Sequence, residues 1–128
     1  MHWLLDGYNV IRRNPRLSDR EDAEGLGGGR QALCNLLANA AQRSRHRFTV
    51  VFDGAKGGSS GVGGMGVTVV FSGGTGSADK LLIERSTPGV TVVSDDLDVT
   101  DGARRAGAET ISTKEFIGRM RNGGGRRR

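Results

Sequence analysis

Carboxylates at the ends of apolar runs are the residues of this sequence best suited to chemistry. Asp6, Asp53 and Asp95 each follow a short apolar run, and Asp79 begins a helical pattern. In an open α/β sheet the carboxyl ends of the strands form the ligand crevice, so we expect acids from distant parts of the chain to meet there. Several carboxylates at one place resist joint ionisation, and a divalent cation removes that cost. The pattern therefore predicts a Mg²⁺ site, since this ion prefers oxygen ligands.

Polar neighbours complete the predicted site. Asn9 lies three positions after Asp6, where its amide can orient a water molecule or a phosphate oxygen. Ser94 can donate a hydrogen bond to Asp95 or to a substrate, and Asp96 is a candidate partner of the ligands. An ion held there can activate water for attack on a phosphodiester. The alternative for each Asp taken singly is a turn former or a helix cap.

Basic charge is distributed unevenly along the chain. The net charge is +5, and the arginines after Gly118 account for the whole excess. We predict that this tail contacts a phosphate backbone, the alternative being a solvated terminus. Other basic residues are predicted to bind the same backbone around the acidic centre: Arg12, Arg13, Arg16, Lys80, Arg43, Arg45 and Arg47. Because only 5% of residues are aromatic, base stacking and sequence reading are expected to be weak.

Several protein classes are excluded by composition. Cys34 is the one cysteine, so it forms no internal disulfide; among leucines it is expected to pack in the core. No apolar run approaches the ~20 residues of a membrane span, and the start lacks a signal core. Together these features predict a cytoplasmic protein. His2 and His46 have no companions at ligand spacing, which argues against zinc.

Strand and helix patterns alternate along the chain. Strands are predicted at residues 2–6, 48–53, 67–71, 90–94 and 109–111. Gly7 is expected to form a sharp turn after the first strand. Five helices are predicted, which begin near residue 19 and at residues 30, 78, 99 and 113; the fourth covers residues 99–106. The first is expected to be weakened by glycines at 25 and 27–29. The predicted fold is three-layer α/β/α with a central, mainly parallel sheet of five strands. One domain covers residues 1–118, with a flexible loop at 54–66 and a basic, flexible tail at 119–128.

Ordered sequence blocks also carry a family resemblance. They are Leu5-Asp6-Gly7-Tyr8-Asn9-Val10-Ile11, Val51-Phe52-Asp53, Ala78-Asp79, Val93-Ser94-Asp95, and Gly107-Ala108 through Ser112 to Glu115-Phe116. From residue 4 to about residue 117 the chain resembles the YacP-like branch of the NYN nucleases, within the PIN-like superfamily. The resemblance implies a PIN-like fold, dependence on Mg²⁺ or Mn²⁺, and endoribonuclease or RNA-processing activity. It places Asp6, Asp79 and Asp95 in the metal site, with Asn9 and Asp53 beside them.

Two positions depart from the family pattern. Gly76 stands where the family usually has an acidic residue before Ala-Asp. Asp96 follows Ser94-Asp95, where a basic or other polar residue is common. We hypothesise that Asp96, counted here among the metal-site residues, restores the lost negative charge.

Three functions compete for this sequence. The leading hypothesis is a metal-dependent endoribonuclease acting in RNA processing or decay. The alternative is a catalytically weak or inactive RNA-binding or ribosome-associated module of the same fold. A haloacid-dehalogenase type of phosphohydrolase ranks low, because Tyr8 stands where that chemistry needs a second Asp. The expected partner is RNA, with the ribosome and a second copy of the chain as further candidates, and no membrane.

Overall fold

Five short apolar runs form a single parallel sheet in the computed structural model, which describes residues 1–54, 66–73 and 77–122. The strands are β1 (His2–Asp6), β2 (Arg47–Phe52), β3 (Val67–Phe71), β4 (Val90–Val93) and β5 (Glu109–Ile111). The helices are α1 (Gly7–Arg12), α2 (Pro15–Arg43), α3 (Ala78–Arg85), α4 (Leu97–Arg105) and α5 (Thr113–Asn122). The strand order is β3-β2-β1-β4-β5, and each neighbouring pair is parallel.

Alternate side chains of β1 enter two separate cores. Trp3 and Leu5 pack in one core with residues of α1, α2 and α5, whereas Leu4 packs in the other with residues of α3 and α4. This follows from the two-residue period of a strand, which sends successive side chains to opposite faces. The predicted three-layer α/β/α arrangement with a five-stranded parallel sheet is confirmed. Cys34 is buried in the first core, as predicted.

The order of the strands reverses beside β1. The chain adds β2 and β3 on one side of β1 and then returns to place β4 and β5 on the other side. In open α/β sheets such a reversal leaves a crevice outside the carboxyl ends of the two strands that flank it. The end of β1, at Asp6, and the segment after β4 therefore border this crevice.

The segment after β1 is a helix rather than the expected simple turn. Asp6 has extended backbone angles as the N-cap of α1, and Gly7 is the first residue of that helix. Gly7 is needed for space: an added Cβ would overlap the Phe52 ring and lie 3.0 Å from Val50 Cγ1. The glycine therefore lets α1 start directly against β2.

We expect Gly7→Ala to destabilise the chain by about 1–3 kcal/mol, because it overpacks a fully buried ring. Chemical denaturation of the purified variant measures this. Gly118→Ala is the matched control, since among the described residues, apart from its chain neighbours and the backbone of α5 itself, no atom lies within 4 Å of its added Cβ. It is expected to be neutral or stabilising, as for glycine in a helix interior. Equal effects of the two substitutions would contradict the close packing at Gly7.

Helix α2 begins earlier than the sequence predicts. Asn14 is its N-cap and accepts a hydrogen bond from Leu17 N at 3.1 Å, so the predicted start near residue 19 is wrong. Glu21 accepts hydrogen bonds from Arg12 instead of capping the helix. The glycines were predicted to weaken this helix, and the backbone departs from helical angles only at Gly25, where φ of 82° and ψ of −176° kink α2.

The last two helices also refine the prediction. Asp96 is the N-cap of α4, which begins at Leu97, two residues before the predicted start. The predicted capping residue Ser112 accepts a hydrogen bond from Glu115 N at 3.1 Å, and α5 continues through Asn122. Two arginines of the predicted tail are therefore helical. Residues 55–65 of the predicted loop and 123–128 of the tail lie outside the described residues, as does Gly76. Among the described helices, none is both long and apolar enough to cross a bilayer.

Candidate functional site

Three carboxylates from separate elements line one pocket at the predicted crevice. Asp6 ends β1, Asp53 directly follows β2, and Asp79 lies in the first turn of α3. The cavity is about 440 Å³ and is completed by Tyr8, Asn9, Arg12, Leu26 and Ala78. We call it the acidic pocket. The expectation that strand-end acids meet is thus realised for these three residues.

Asp6 is the most strongly perturbed acid of the pocket. The pKa of Asp6 is raised to about 6, mainly by burial and further by the negative charges of Asp79, Asp96 and Asp53. A hydrogen bond from Ser94 Oγ to Asp6 Oδ2, at 3.0 Å, opposes it by favouring the charged carboxylate. Asp6 is consequently a carboxyl group that the fold holds under electrostatic cost.

Asp53 and Asp79 are linked through the start of α3. Asp53 Oδ1 accepts hydrogen bonds from Ser72 Oγ at 3.0 Å and from Ala78 N at 3.2 Å. Ser77 caps the helix by accepting from Lys80 N, as predicted. Burial raises the pKa of Asp79, and the charges of Asp96, Asp53 and Asp98 raise it further. Asp53 therefore anchors the helix turn that carries Asp79 into the pocket.

Asn9 connects the pocket to the segment after β4. Its Oδ1 accepts a hydrogen bond from Asp95 N at 2.9 Å. An amide side chain has two donors besides this acceptor, so the Nδ2 group of Asn9 is left to donate within the pocket it lines.

The carboxylate of Asp95 faces away from the acidic pocket. Its Oδ1 accepts from Thr113 N at 3.0 Å and its Oδ2 accepts from Thr113 Oγ1 at 2.7 Å. Arg13 Nε lies 3.8 Å from the same Oδ2. The structure therefore does not bring Asp95 together with the three pocket acids, although the sequence pattern groups all four.

Asp96 acts locally as a helix cap. Its Oδ1 accepts hydrogen bonds from Asp98 N at 2.8 Å and Val99 N at 3.3 Å, and its own N–H donates to Ser94 Oγ. Its charge nevertheless contributes to the raised pKa values of Asp6 and Asp79. Asp96 supplies negative potential beside the pocket while its carboxylate is occupied by α4.

Serine 94 holds two acidic residues in place from a buried position. It is only 2% exposed, donates to Asp6 and accepts from the main chain of Asp96. The predicted hydrogen bond from Ser94 to Asp95 is not observed, and the acceptor is Asp6.

Removing this hydroxyl is expected to affect both stability and titration. We predict that Ser94→Ala destabilises the chain by about 1–3 kcal/mol, because buried partners lose their hydrogen bonds. The pKa of Asp6 should rise further, because the Ser94 bond lowers it. Denaturation and carboxyl NMR titration measure the two effects. Ser86→Ala is the control. Among the described residues, the buried Ser86 hydroxyl hydrogen-bonds only to a helix carbonyl, Leu82 O, so its removal should leave the pKa of Asp6 unchanged. An unmoved Asp6 pKa in Ser94→Ala would contradict the assignment.

Arg12, a basic residue of the pocket lining, is already engaged by other protein groups. Arg12 donates to both oxygens of Glu21 at 3.2 Å, and its guanidinium lies 4.9 Å from the centre of the Tyr8 ring. Lys80 is exposed beside Asp79, and Arg16 is exposed in the first turn of α2. Arg13, Arg16 and Lys80 do not line the acidic pocket; Arg13 lines a different cavity.

The basic run at the end of α2 lies at the opposite end of the sheet. Arg47 pairs in register with His2, four residues before Asp6 on β1, a separation of roughly 13 Å along the strand. Arg43 donates to the main-chain oxygens of Asn39 and Met120. The structure therefore does not bring Arg43, Arg45 and Arg47 to the acidic pocket.

Three residues of the site were missed by sequence reasoning. Tyr8 and Leu26 line the pocket, and Leu26 is 49% exposed despite its size. Thr113 holds Asp95. The exposed position of Leu26 depends on the kink at Gly25, for which the glycines were a signal, whereas no sequence pattern linked Thr113 to Asp95.

The fold and the pocket together define a nuclease-like α/β domain. The chain belongs to the YacP-like NYN domain family, whose model matches residues 3–125. The resemblance inferred from the sequence blocks is thus confirmed. No protein with a curated description matches the chain.

Solved structures resemble the chain over nearly its whole length. The crystal structure of Rae1 (YacP) from Bacillus subtilis has a TM-score of 0.77 at 23% sequence identity. A mutant form of the same protein has a TM-score of 0.76 at 24% identity. Each match covers 94% of this chain and 74% of the other. At this identity the likeness establishes the fold.

Proposed function

We propose that the chain is a metal-dependent endoribonuclease centred on the acidic pocket. The observation that carries the proposal is the convergence of Asp6, Asp53 and Asp79 on one cavity, with the pKa of Asp6 raised to about 6. A group of carboxylates that raise one another's pKa costs stability, and such groups are concentrated at functional sites. Membership of the NYN family supports the nuclease assignment and RNA as substrate.

The donor set fits a hydrated divalent ion. Within the described ranges, no three His, Cys, Asp or Glu residues lie close enough together to hold an ion as a group. Mg²⁺ commonly needs only one or two carboxylates and completes its shell with water and substrate phosphate. Asp6 and Asp79, whose pKa values are both raised, are the proposed ligands. Mn²⁺ is the alternative ion, since it also takes oxygen ligands. Such an ion would lower the pKa of a bound water and neutralise charge developing on the phosphodiester.

Other residues are assigned supporting roles. Asn9 is proposed to donate from Nδ2 to a phosphate oxygen while Asp95 N holds its other end. Asp95 is then a positioning residue, acting through Asn9 rather than on the ion. Asp53 fixes the turn of Asp79 through Ala78 N. Asp96 supplies negative potential through its charge.

The polymer is proposed to cross the pocket as a single strand. Tyr8 and Leu26 line the same pocket as the carboxylates, and a ribose or base is proposed to rest on their side chains. Arg12, whose side chain is 56% exposed, is proposed to bind a backbone phosphate in exchange for Glu21. Lys80 and Arg16 are proposed as further phosphate contacts.

A circular single-stranded RNA tests the metal and endonuclease elements together. A circle has no ends, so its conversion to a linear product requires internal cleavage. We expect conversion with Mn²⁺ or Mg²⁺ and none with EDTA. Degradation of linear RNA alone would overturn the endonuclease assignment, and cleavage in EDTA would overturn the metal dependence. A need for added ribosomes, or for concentrations at which the chain dimerises, would identify those partners.

A second candidate is an RNA-binding module of the same fold without turnover. The lack of a three-residue ligand group in the described part of the chain favours it. This module would bind RNA equally with or without divalent ions and would cleave none. Binding by the wild-type chain and by Asp6→Asn, with no cleavage by either in any metal, is the result that selects it.

A further inference from the structure

A second cavity lies on the other side of α1. It has a volume of about 620 Å³ and is bordered by α1, the start of α2 and α5. The buried apolar residues Val10 and Ile117 form its floor. The exposed basic residues Arg13, Lys114 and Arg121 form its rim. We call this the basic cavity. It is separate from the acidic pocket, and Lys114 and Arg121 have no role in the site described above.

The basic cavity is positively charged in spite of one acid in its lining. Asp95 accepts two hydrogen bonds from Thr113, and Arg13 lies 3.8 Å from it. That carboxylate is therefore already matched by donors. The side chain of Arg13 is 63% exposed, and Lys114 and Arg121 are exposed on α5. Three cations thus surround an apolar floor and remain accessible to an anionic ligand.

We propose that the basic cavity is a second RNA subsite, which holds backbone phosphate of the strand whose scissile bond lies in the acidic pocket. The inference rests on the proposed function in taking RNA as the substrate. Arg12 lines the acidic pocket and its neighbour Arg13 lines the basic cavity, so the end of α1 separates the two sites. A strand that passes over this end reaches both.

The lining favours RNA over an acidic protein segment. An RNA strand presents phosphates at regular intervals with bases between them, which matches cations at the rim and apolar side chains at the floor. The described floor has no aromatic side chain, so the contact is expected to be independent of sequence. The place of the cavity beside the acidic pocket, across the end of α1, adds a reason specific to a polymer substrate.

The test compares two double variants of the full chain. Lys114→Gln/Arg121→Gln removes two rim charges, and Arg85→Gln/Arg105→Gln removes two exposed charges from α3 and α4 across the sheet. Binding of a labelled 20-nucleotide single-stranded RNA is followed by anisotropy in EDTA. Two lost phosphate contacts should reduce the steepness of log affinity against log salt by about 1.4. At ~0.1 M salt this corresponds to a loss of roughly 10- to 30-fold in affinity. The α3/α4 variant should stay within about twofold of wild type.

Further outcomes decide the proposal. Unchanged RNA affinity in the rim variant, or an equal loss in the control, overturns it. Loss of poly-glutamate binding with RNA binding intact overturns it in favour of an acidic protein. If the double variant folds poorly, Lys114→Gln and Arg121→Gln are tested singly. Each is expected to produce about half of the slope change of the double variant.

Cleavage measurements separate this proposal from the proposed function. With the acidic pocket intact, the rim variant should raise KM and leave kcat within about twofold of wild type. If the wild-type chain cleaves RNA and the rim variant changes neither Kd nor KM, the subsite fails and the nuclease stands. If the rim variant loses affinity but no RNA is cleaved in any metal, the subsite stands and the nuclease fails.

Discussion

Asp6→Asn is expected to lower kcat for RNA cleavage by roughly 10³-fold, because it removes a proposed metal ligand and with it several kcal/mol of transition-state stabilisation. Asp79→Asn should act in the same way. RNA affinity measured without metal should weaken by no more than about threefold, since each substitution also removes a negative charge near the polymer. Single-turnover cleavage and anisotropy on the same RNA measure the two effects.

Asp101→Asn is the matched control for charge and side-chain size. Asp101 is exposed on α4 and pairs with Arg104, and exposed pairs of this kind contribute little. It should retain wild-type cleavage. Retained cleavage in both Asp6→Asn and Asp79→Asn would remove the acidic pocket from the mechanism, and equal loss in the control would point to a general effect of charge.

Asp6→Asn is also expected to stabilise the metal-free chain by about 2 kcal/mol at pH 7–8. The pKa of Asp6 is about 6 in the folded wild-type chain, against an ordinary value of 3.8. The folded state therefore binds the proton of this carboxyl more tightly than the unfolded state does. The free energy of unfolding of the wild type should therefore fall as the pH rises from about 4 to 6, and the full cost remains above that range. Asparagine has no such titration.

Urea denaturation from pH 4 to 8 in EDTA tests this expectation. The difference between variant and wild type should be small near pH 4 and reach its plateau above pH 6. A constant difference across this range would contradict the raised pKa. Saturating Mg²⁺ should recover stability in the wild type but not in the variant, because a ligand that binds only the folded state adds free energy of unfolding.

The pattern of acids after apolar runs predicted that Asp6 and Asp53 would lie close together, because parallel strands bring their carboxyl ends to one edge of the sheet. Asp79 joins them from the first turn of α3. Asp95 obeys the same rule along the chain, yet its carboxylate turns to the start of α5. The orientation of the Asp95 carboxylate depends on the position of Thr113, which is set when β5 pairs with β4. This is a tertiary contact, and no local sequence pattern encodes it.

The prediction that the basic run at the end of α2 surrounds the acidic centre is wrong, and the topology of a parallel sheet could have corrected it. Parallel neighbours need a crossover that returns to the amino end of the sheet. Because α2 leads into β2, Arg43 and the residues after it had to lie at the end opposite Asp6. Helix α1 was missed for a different reason, since Gly7 suggested a turn while its packing role against Phe52 appears only in three dimensions.

Direct measurement of Mn²⁺ binding by electron paramagnetic resonance tests the central claim, that the acidic pocket is a metal centre. The free-ion signal would be titrated against the wild-type chain, the Asp6→Asn/Asp79→Asn double variant and Asp101→Asn. We predict that the wild type and Asp101→Asn bind Mn²⁺ with equal affinity and that the double variant loses this site. Equal binding by the double variant, or no binding by the wild type at millimolar Mn²⁺, would contradict the account.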